Sequence, residues 1–172
     1  MAREENVTMM TALFKDWSDA ESAYKELMDR NFTRDQISIL MSEDTRERFA
    51  GTKTEMGSKA LEGTGAGAAV GGAVGAIVAA IIAVGTTIAI PPLGLVVAGP
   101  IAAALAGAGA GGAAGGLIGA LIGYGIPEET VKRYESGIKE GGIVLGVQPR
   151  SAAEAQEVER IWKDKNAQDV DV

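Results

Sequence analysis

An uncharged stretch, from Gly63 to Pro127, most constrains what this chain can fold into. Glycines recur in it at every fourth position, and residues four apart lie on one face of a helix. Stripes of small residues let two helix backbones approach closely, most often inside a membrane. The spacing therefore predicts two helices that pack through nine helix-packing residues: Gly63, Gly67, Gly71, Gly75, Gly107, Gly111, Gly115, Gly119 and Gly123.

If the chain folds back at residues 91–94, which read Pro-Pro-Leu-Gly, each glycine of the first series lies opposite a glycine of the second. Two series in mirror register around a double proline predict a glycine-zipper helical hairpin over residues 58–126. Bulky residues off the stripe, such as Ile77, are expected on its outer surface. The register pairs Gly63 with Gly123, Gly67 with Gly119, Gly71 with Gly115 and Gly75 with Gly111.

The segments on either side of the hairpin follow one plan of strand, helix and strand. Alternating or β-branched runs predict strands at 7–14, 36–41, 143–148 and 167–172, the last at a sheet edge. Ser18 with Glu21, and Ser151 with Glu154, each form the S-x-x-E pattern of a capping box, which starts a helix. An additional helix is expected from Pro127, because proline is favoured in the first turn.

Two β-α-β units of this size predict an α+β fold. In it, a four-stranded antiparallel sheet carries two helices on one face, in the ferredoxin-like arrangement. The predicted domains are residues 1–57, with the first half of the sheet and a polar linker from residue 42; residues 58–126, the inserted hairpin; and residues 127–172, with a helix and the second half of the sheet.

The composition excludes several classes of function. The chain of 172 residues has a net charge of −7, which disfavours nucleic acid as a partner. It has no cysteine and no histidine, so the usual nucleophilic thiol, general base and transition-metal ligand are missing. We therefore expect no enzymatic activity, no catalytic residue, no metal site and no cofactor. Residues 107–112 match G-x-G-x-x-G, but no strand precedes them, as a dinucleotide site requires.

Two destinations of the hairpin stay open. Residues 63–90 and 100–124 each exceed the roughly 20 residues that cross a bilayer, which favours membrane insertion with a cytoplasmic sheet domain at the inner membrane. Residues 106–116 contain only Ala and Gly, which offer lipid little apolar surface. The alternative is therefore a water-soluble homo-oligomer or filament with the hairpins in its core. In both cases the expected partner is a second copy, and in the first it is also the lipid bilayer.

Two segments outside the hairpin carry a resemblance to a known family. They read ISILMSEDTRERF at 37–49 and GIPEETVKRYESGIKEGG at 125–142. Together with the long Gly/Ala hairpin, they make the chain similar to the bacterial general stress proteins of the heat-induced YflT type. The resemblance covers nearly the whole chain. It implies a stress-response role and carries no known catalytic residue.

Overall fold

A computed structural model describes residues 8–49, 77, 87–90, 94–107, 118–119 and 121–171. They form an α+β fold built on an antiparallel sheet, as the sequence predicts. The elements, in chain order, are β1 (Met10–Phe14), α1 (Trp17–Asp29), a 3-10 turn (Arg34–Gln36), β2 (Ile37–Ser42), α2 (43–49), β3 (Thr87–Ile90), β4 (Leu95–Ala98), α3 (Pro100–Gly107), α4 (Glu128–Lys139), β5 (Ile143–Val147), α5 (Ala152–Asp164) and β6 (Gln168–Asp171).

The sheet has the strand order β3-β4-β2-β5-β1-β6, and every neighbouring pair is antiparallel. Strand β5 lies between β2 and β1, so that Val147 is opposite both Ile37 and Met10. The four predicted strands are all present, and β6 lies at an edge as expected.

Six strands form this sheet rather than the predicted four, because residues 87–98 contribute β3 and β4. The prediction of a helix that continues to residue 90 is wrong, because residues 87–90 form strand β3. The two strands contain two Ile, two Val and one Thr, β-branched residues that favour strands. The chain does fold back between the two strands, as predicted, but it does so as a β-hairpin that extends the sheet beyond β2.

Helices α1 and α5 cover one face of the sheet. Their buried side chains, among them Tyr24, Leu27 and Trp162, pack with alternate residues of the strands into one apolar core, the α1/α5 core. Phe14 meets Trp162 edge-to-face, with ring centroids 6.4 Å apart. This side of the domain matches the prediction that the two β-α-β helices share a face.

Helices cover the opposite face of the sheet too, whereas the prediction placed helices on one face only. There α3 and α4 pack on the other set of alternate strand residues, in the α3/α4 core. Three apolar residues at helical spacing on α4 are fully buried in it: Val131, Tyr134 and Ile138. The described domain therefore has three layers, with helices on both faces of the sheet.

The two predicted capping boxes have different outcomes. Helix α1 begins at Trp17 with Asp16 as its N-cap, and no side chain caps it, so the box of Ser18 and Glu21 is wrong. Ser151 does cap α5, because its hydroxyl accepts a hydrogen bond from the Glu154 amide at 3.2 Å. The return bond from Glu154 is not to Ser151: its carboxylate accepts from the Arg150 amide and guanidinium.

The segment predicted as a polar linker from residue 42 begins with a helix, α2. The Ser42 hydroxyl accepts a hydrogen bond from the Thr45 amide at 3.1 Å, which caps the helix start. At the other end of α2, the ring of Phe49 stacks on Trp17 with centroids 3.8 Å apart. This contact ties α2 to the start of α1. The predicted helical continuation from about residue 58 lies outside the described residues.

Candidate interaction surface

Helix α3 starts in close contact with strand β2. Gly99 has a φ of +88°, and a Cβ at this position would overlap the Ile37 carbonyl oxygen. One step further, the Ile101 amide donates a hydrogen bond to the buried hydroxyl of Ser38 at 3.2 Å. Ser38 thus satisfies one of the free amides of the first helical turn. These residues were not predicted from the sequence, although a Gly-Pro pair such as Gly99-Pro100 is typical of a turn followed by a helix start.

The chain returns to the start of α3 at Tyr124. The Tyr124 hydroxyl donates a hydrogen bond to the Pro100 carbonyl oxygen at 3.2 Å. A straight helix from 100 to 124 would separate its ends by about 36 Å, at 1.5 Å per residue. Leu121 and Ile126 are also buried in the same core as Ile101. Residues 100–124 therefore do not form one straight helix, as an arm that crosses a bilayer in a single span would require.

The described residues of this part of the chain form an exposed side without charge. Ile118 and Ile122 retain 37% and 43% of their accessible surface, and they are the exposed large hydrophobic residues of the described chain. We define the uncharged surface by the exposed residues of α3 and of the helical residues 118–119 and 121–123: Ala103, Ala106, Gly107, Ile118, Gly119, Ile122 and Gly123.

Three of the nine predicted helix-packing glycines belong to this surface. At Gly107, Gly119 and Gly123, a Cβ would meet no atom of the described structure within 4 Å. The other six lie outside the described residues: Gly63, Gly67, Gly71, Gly75, Gly111 and Gly115. Each predicted glycine pair includes at least one of these six, so the close approach of two backbones stays a prediction.

Ile77 does not lie on an outer surface, contrary to the prediction for it. Its side chain is fully buried in the α1/α5 core. Its amide donates a hydrogen bond to the carboxylate of Glu21 on α1, at 3.4 Å. Glu21 is itself only 4% exposed, so this hydrogen bond lies in the interior. The inserted segment therefore contacts the domain on both faces of the sheet, through Ile77 on one and Ile101 on the other.

The described part of the chain brings together few side chains that could bind a metal ion or catalyse a reaction. Within it, no three Asp or Glu side chains converge as a metal site would need. Glu43 on α2 forms an ion pair with Arg46 at 3.0 Å. Lys139, which completes an S-x-x-K pattern with Ser136, instead pairs with Glu135 at 2.8 Å. The expected lack of enzymatic activity stays a prediction.

No helix in the described ranges combines the length and the apolar character that crossing a membrane requires. Comparisons with known proteins found no matching family model, no matching curated protein and no matching solved structure. The resemblance to the general stress proteins therefore rests on the two sequence segments and the Gly/Ala hairpin alone.

Proposed function

We propose that this protein is a non-enzymatic stress-response protein that self-assembles through its uncharged, glycine- and alanine-rich segment. The observation that carries the proposal is the exposure of Ile118 and Ile122, at 37% and 43%, on a surface without charge. Exposed apolar surface of this kind is typical of sites that bind another protein or a lipid. The stress-response role is supported by the resemblance described above.

The spacing within the 118–123 segment suits contact with another helix. Ile118 and Ile122 are four residues apart and form a ridge, while Gly119 and Gly123, one position on, form an adjacent groove. A ridge of one copy can enter the groove of the next, which is how small-residue helix pairs associate. The chain has a net charge of −7, so copies repel each other elsewhere and associate most easily through an uncharged surface.

A second candidate is association with the inner membrane, leaving the sheet domain in the cytoplasm. It is supported by the absence of charge from Gly63 to Pro127. The Tyr124–Pro100 hydrogen bond limits its form, because residues 100–124 cannot serve as one straight spanning helix. In this candidate the uncharged surface contacts lipid.

We also propose that strands β6, β1, β5 and β2 form a ferredoxin-like unit. The support is their spatial order, with β5 between β1 and β2 and with β6 beside β1, together with helices α1 and α5 on a common face. Strands β3 and β4 then extend this unit on the β2 side. The inserted segment accordingly adds two strands and a helical layer to the domain.

Size measurement tests self-assembly. We expect the wild-type protein to elute without detergent as a particle larger than the 17.6 kDa chain by light scattering. Ile118→Lys and Ile122→Lys should each shift it towards the monomer, because a charge in the contact must be desolvated. Ala153→Lys, an exposed position on α5, is the matched control and should leave the size unchanged.

Fractionation distinguishes the second candidate. Retention in the membrane fraction after carbonate and high-salt washes, with release of the two isoleucine variants, would support the lipid contact. A wild-type monomer that stays out of the membrane fraction would contradict both candidates. The stress role is tested by survival of a deletion strain after heat shock, with wild-type or Ile122→Lys protein restored.

A further inference from the structure

The two edge strands of the sheet differ in the features that prevent pairing with a strand of another chain. Edge strand β6 carries Asp169 and Asp171, and its register against β1 shifts between Thr11 and Leu13. Asp169 also has a φ of +49°, so the strand is bent as well as charged. Charge and irregularity on an edge strand prevent pairing with other chains.

Strand β3, at the other edge, has none of these features. It reads Thr-Ile-Ala-Ile, without charge and without proline. In the described structure no strand lies on its outer side, and Ala89 is exposed. A regular, uncharged edge is a template for pairing with another strand.

The hydrogen-bond pattern tells which backbone groups of β3 point outward. The Glu43 amide donates to the Gly94 carbonyl oxygen at 2.8 Å, in register with the β2–β4 ladder. Because hydrogen-bonded and non-bonded pairs alternate in an antiparallel ladder, Leu95 and Val97 direct their amides and carbonyls towards β3. Their partners there are Ile90 and Ile88. The amides and carbonyls of Thr87 and Ala89 are therefore directed away from the sheet.

We propose that β3 pairs antiparallel with β3 of a second copy of this chain, about a two-fold axis at Ile88. Thr87 of each copy is then opposite Ala89 of the other. Each of these two pairs exchanges an amide and a carbonyl in both directions, so four hydrogen bonds join the copies and their sheets become continuous. The proposal rests on the proposed self-assembly and specifies its register.

A second copy is the occupant that the edge fits. A two-fold axis through an antiparallel pair makes an edge complementary to itself, because outward amides meet outward carbonyls. Strand β3 has no charged side chain to form an ion pair with, so a partner strand that carries charges gains nothing from them at this edge.

The strand edge adjoins the uncharged surface. Helix α3 packs against β3 and β4 and exposes Ala103 and Ala106 of that surface. Strand pairing and helix contact can therefore be buried together, which a four-residue strand pair needs for a stable interface.

Cysteine cross-linking tests the register, and the chain has no cysteine of its own to interfere. Ile88→Cys places two thiols opposite each other in a non-hydrogen-bonded pair, whose Cβ atoms lie about 5 Å apart. Ala89→Cys places them two residues out of register, beyond the roughly 7 Å limit for a disulfide. We expect mild oxidation to convert most of the Ile88→Cys protein to covalent dimer and little of the Ala89→Cys protein. Equal cross-linking at both positions would overturn the proposal.

A second pair of variants tests the outward amide. Ala89→Pro removes that amide without removing a β3–β4 hydrogen bond, and proline is tolerated on edge strands. It should lower the particle mass, whereas Ala89→Val, which keeps the amide, should not. An oligomer unaffected by Ala89→Pro and not cross-linked through Ile88→Cys would leave self-assembly standing and overturn the β3 pairing. A monomeric wild type would overturn both.

Discussion

The hydroxyl groups of Thr11 and Tyr134 lie 2.9 Å apart in the interior of the domain, where both residues are fully buried. The Tyr134 hydroxyl also donates to the Asp169 carbonyl oxygen at 2.7 Å. A tyrosine hydroxyl has one proton, so Thr11 is the donor in the bond between the two. The network joins helix α4 to strand β1 and to the edge strand β6.

Removal of one partner of this network should destabilise the domain. Tyr134→Phe leaves the Thr11 hydroxyl buried without its acceptor, and we expect it to lower the free energy of unfolding by about 1–3 kcal/mol. Thr11→Val should cost less, and the double variant should be less destabilised than the sum of the two. Urea denaturation of all four proteins measures this coupling. Additive effects would show that the two hydroxyls do not depend on each other.

Ile77 and Ile122 should respond oppositely to truncation. Ile77 is fully buried beside α1, so Ile77→Ala should lower the free energy of unfolding of the sheet domain by about 2–5 kcal/mol. Ile122 is 43% exposed, so Ile122→Ala should change it by no more than about 0.5 kcal/mol in the dissociated protein. Both values come from urea denaturation at low protein concentration. A mild Ile77→Ala would contradict the docking of the inserted segment on the α1/α5 core.

Two glycines of the inserted segment should differ in their tolerance of alanine. Gly99→Ala combines a positive φ with overlap of the Ile37 carbonyl, and we expect a loss of about 2 kcal/mol or more. Gly107→Ala, at the end of α3, meets open space among the described atoms and should be neutral or stabilising by up to about 1 kcal/mol. Thermal denaturation compares the two. Similar losses at both positions would argue against the close crossing at Gly99.

Stability should decline at alkaline pH because of two buried tyrosines. Burial raises the pKa of Tyr24 from 10.0 to about 12, and burial also raises the pKa of Tyr134. An unfolded tyrosine ionises near pH 10 while the folded one stays neutral. Their contribution is therefore complete below pH 10 and is lost as the pH rises from 10 towards the folded pKa values.

Denaturation midpoints at pH 8 and pH 11.5 measure this decline. Tyr24→Phe should reduce it, and it should cost little at pH 8, because the Tyr24 hydroxyl has no hydrogen-bond partner among the described atoms. An unchanged decline in Tyr24→Phe would assign the alkaline sensitivity to other groups.

The sequence predicts the two ends of the chain well because their patterns are local. Val131, Tyr134 and Ile138 recur at helical spacing and are all buried. The four strands from the two ends of the chain, β1, β2, β5 and β6, are β-branched or alternating. The inserted segment lacks such a pattern. Its residues 88–98 carry no charged or polar side chain, so a strand, a helix end and a buried turn fit equally well. The deciding factor is pairing with β2, which is a tertiary contact.

The candidate surface was predictable in part. Four-residue spacing identifies Gly119 and Gly123 as members of a smooth helical face, and both are exposed. The same spacing cannot show that Tyr124 returns to Pro100, because a hydrogen bond across 24 positions leaves no periodic signal. The predicted capping box of Glu21 is wrong for a similar reason. The S-x-x-E pattern is local, whereas the Glu21 carboxylate accepts a hydrogen bond from the distant Ile77 amide.

The place of β5 at the centre of the sheet has a consequence for synthesis of the chain on the ribosome. Strands β1 and β2 do not pair with each other, and each pairs with β5, so the first half cannot close its sheet until residues 143–147 have been made. At about 5–20 residues per second, the roughly 100 residues between β2 and β5 take about 5–20 s. During that interval the whole uncharged stretch emerges before the central strand that completes its docking surface. The uncharged segment of the nascent chain is therefore accessible to chaperones, and to other nascent chains on the same mRNA, before the sheet that buries part of it is complete.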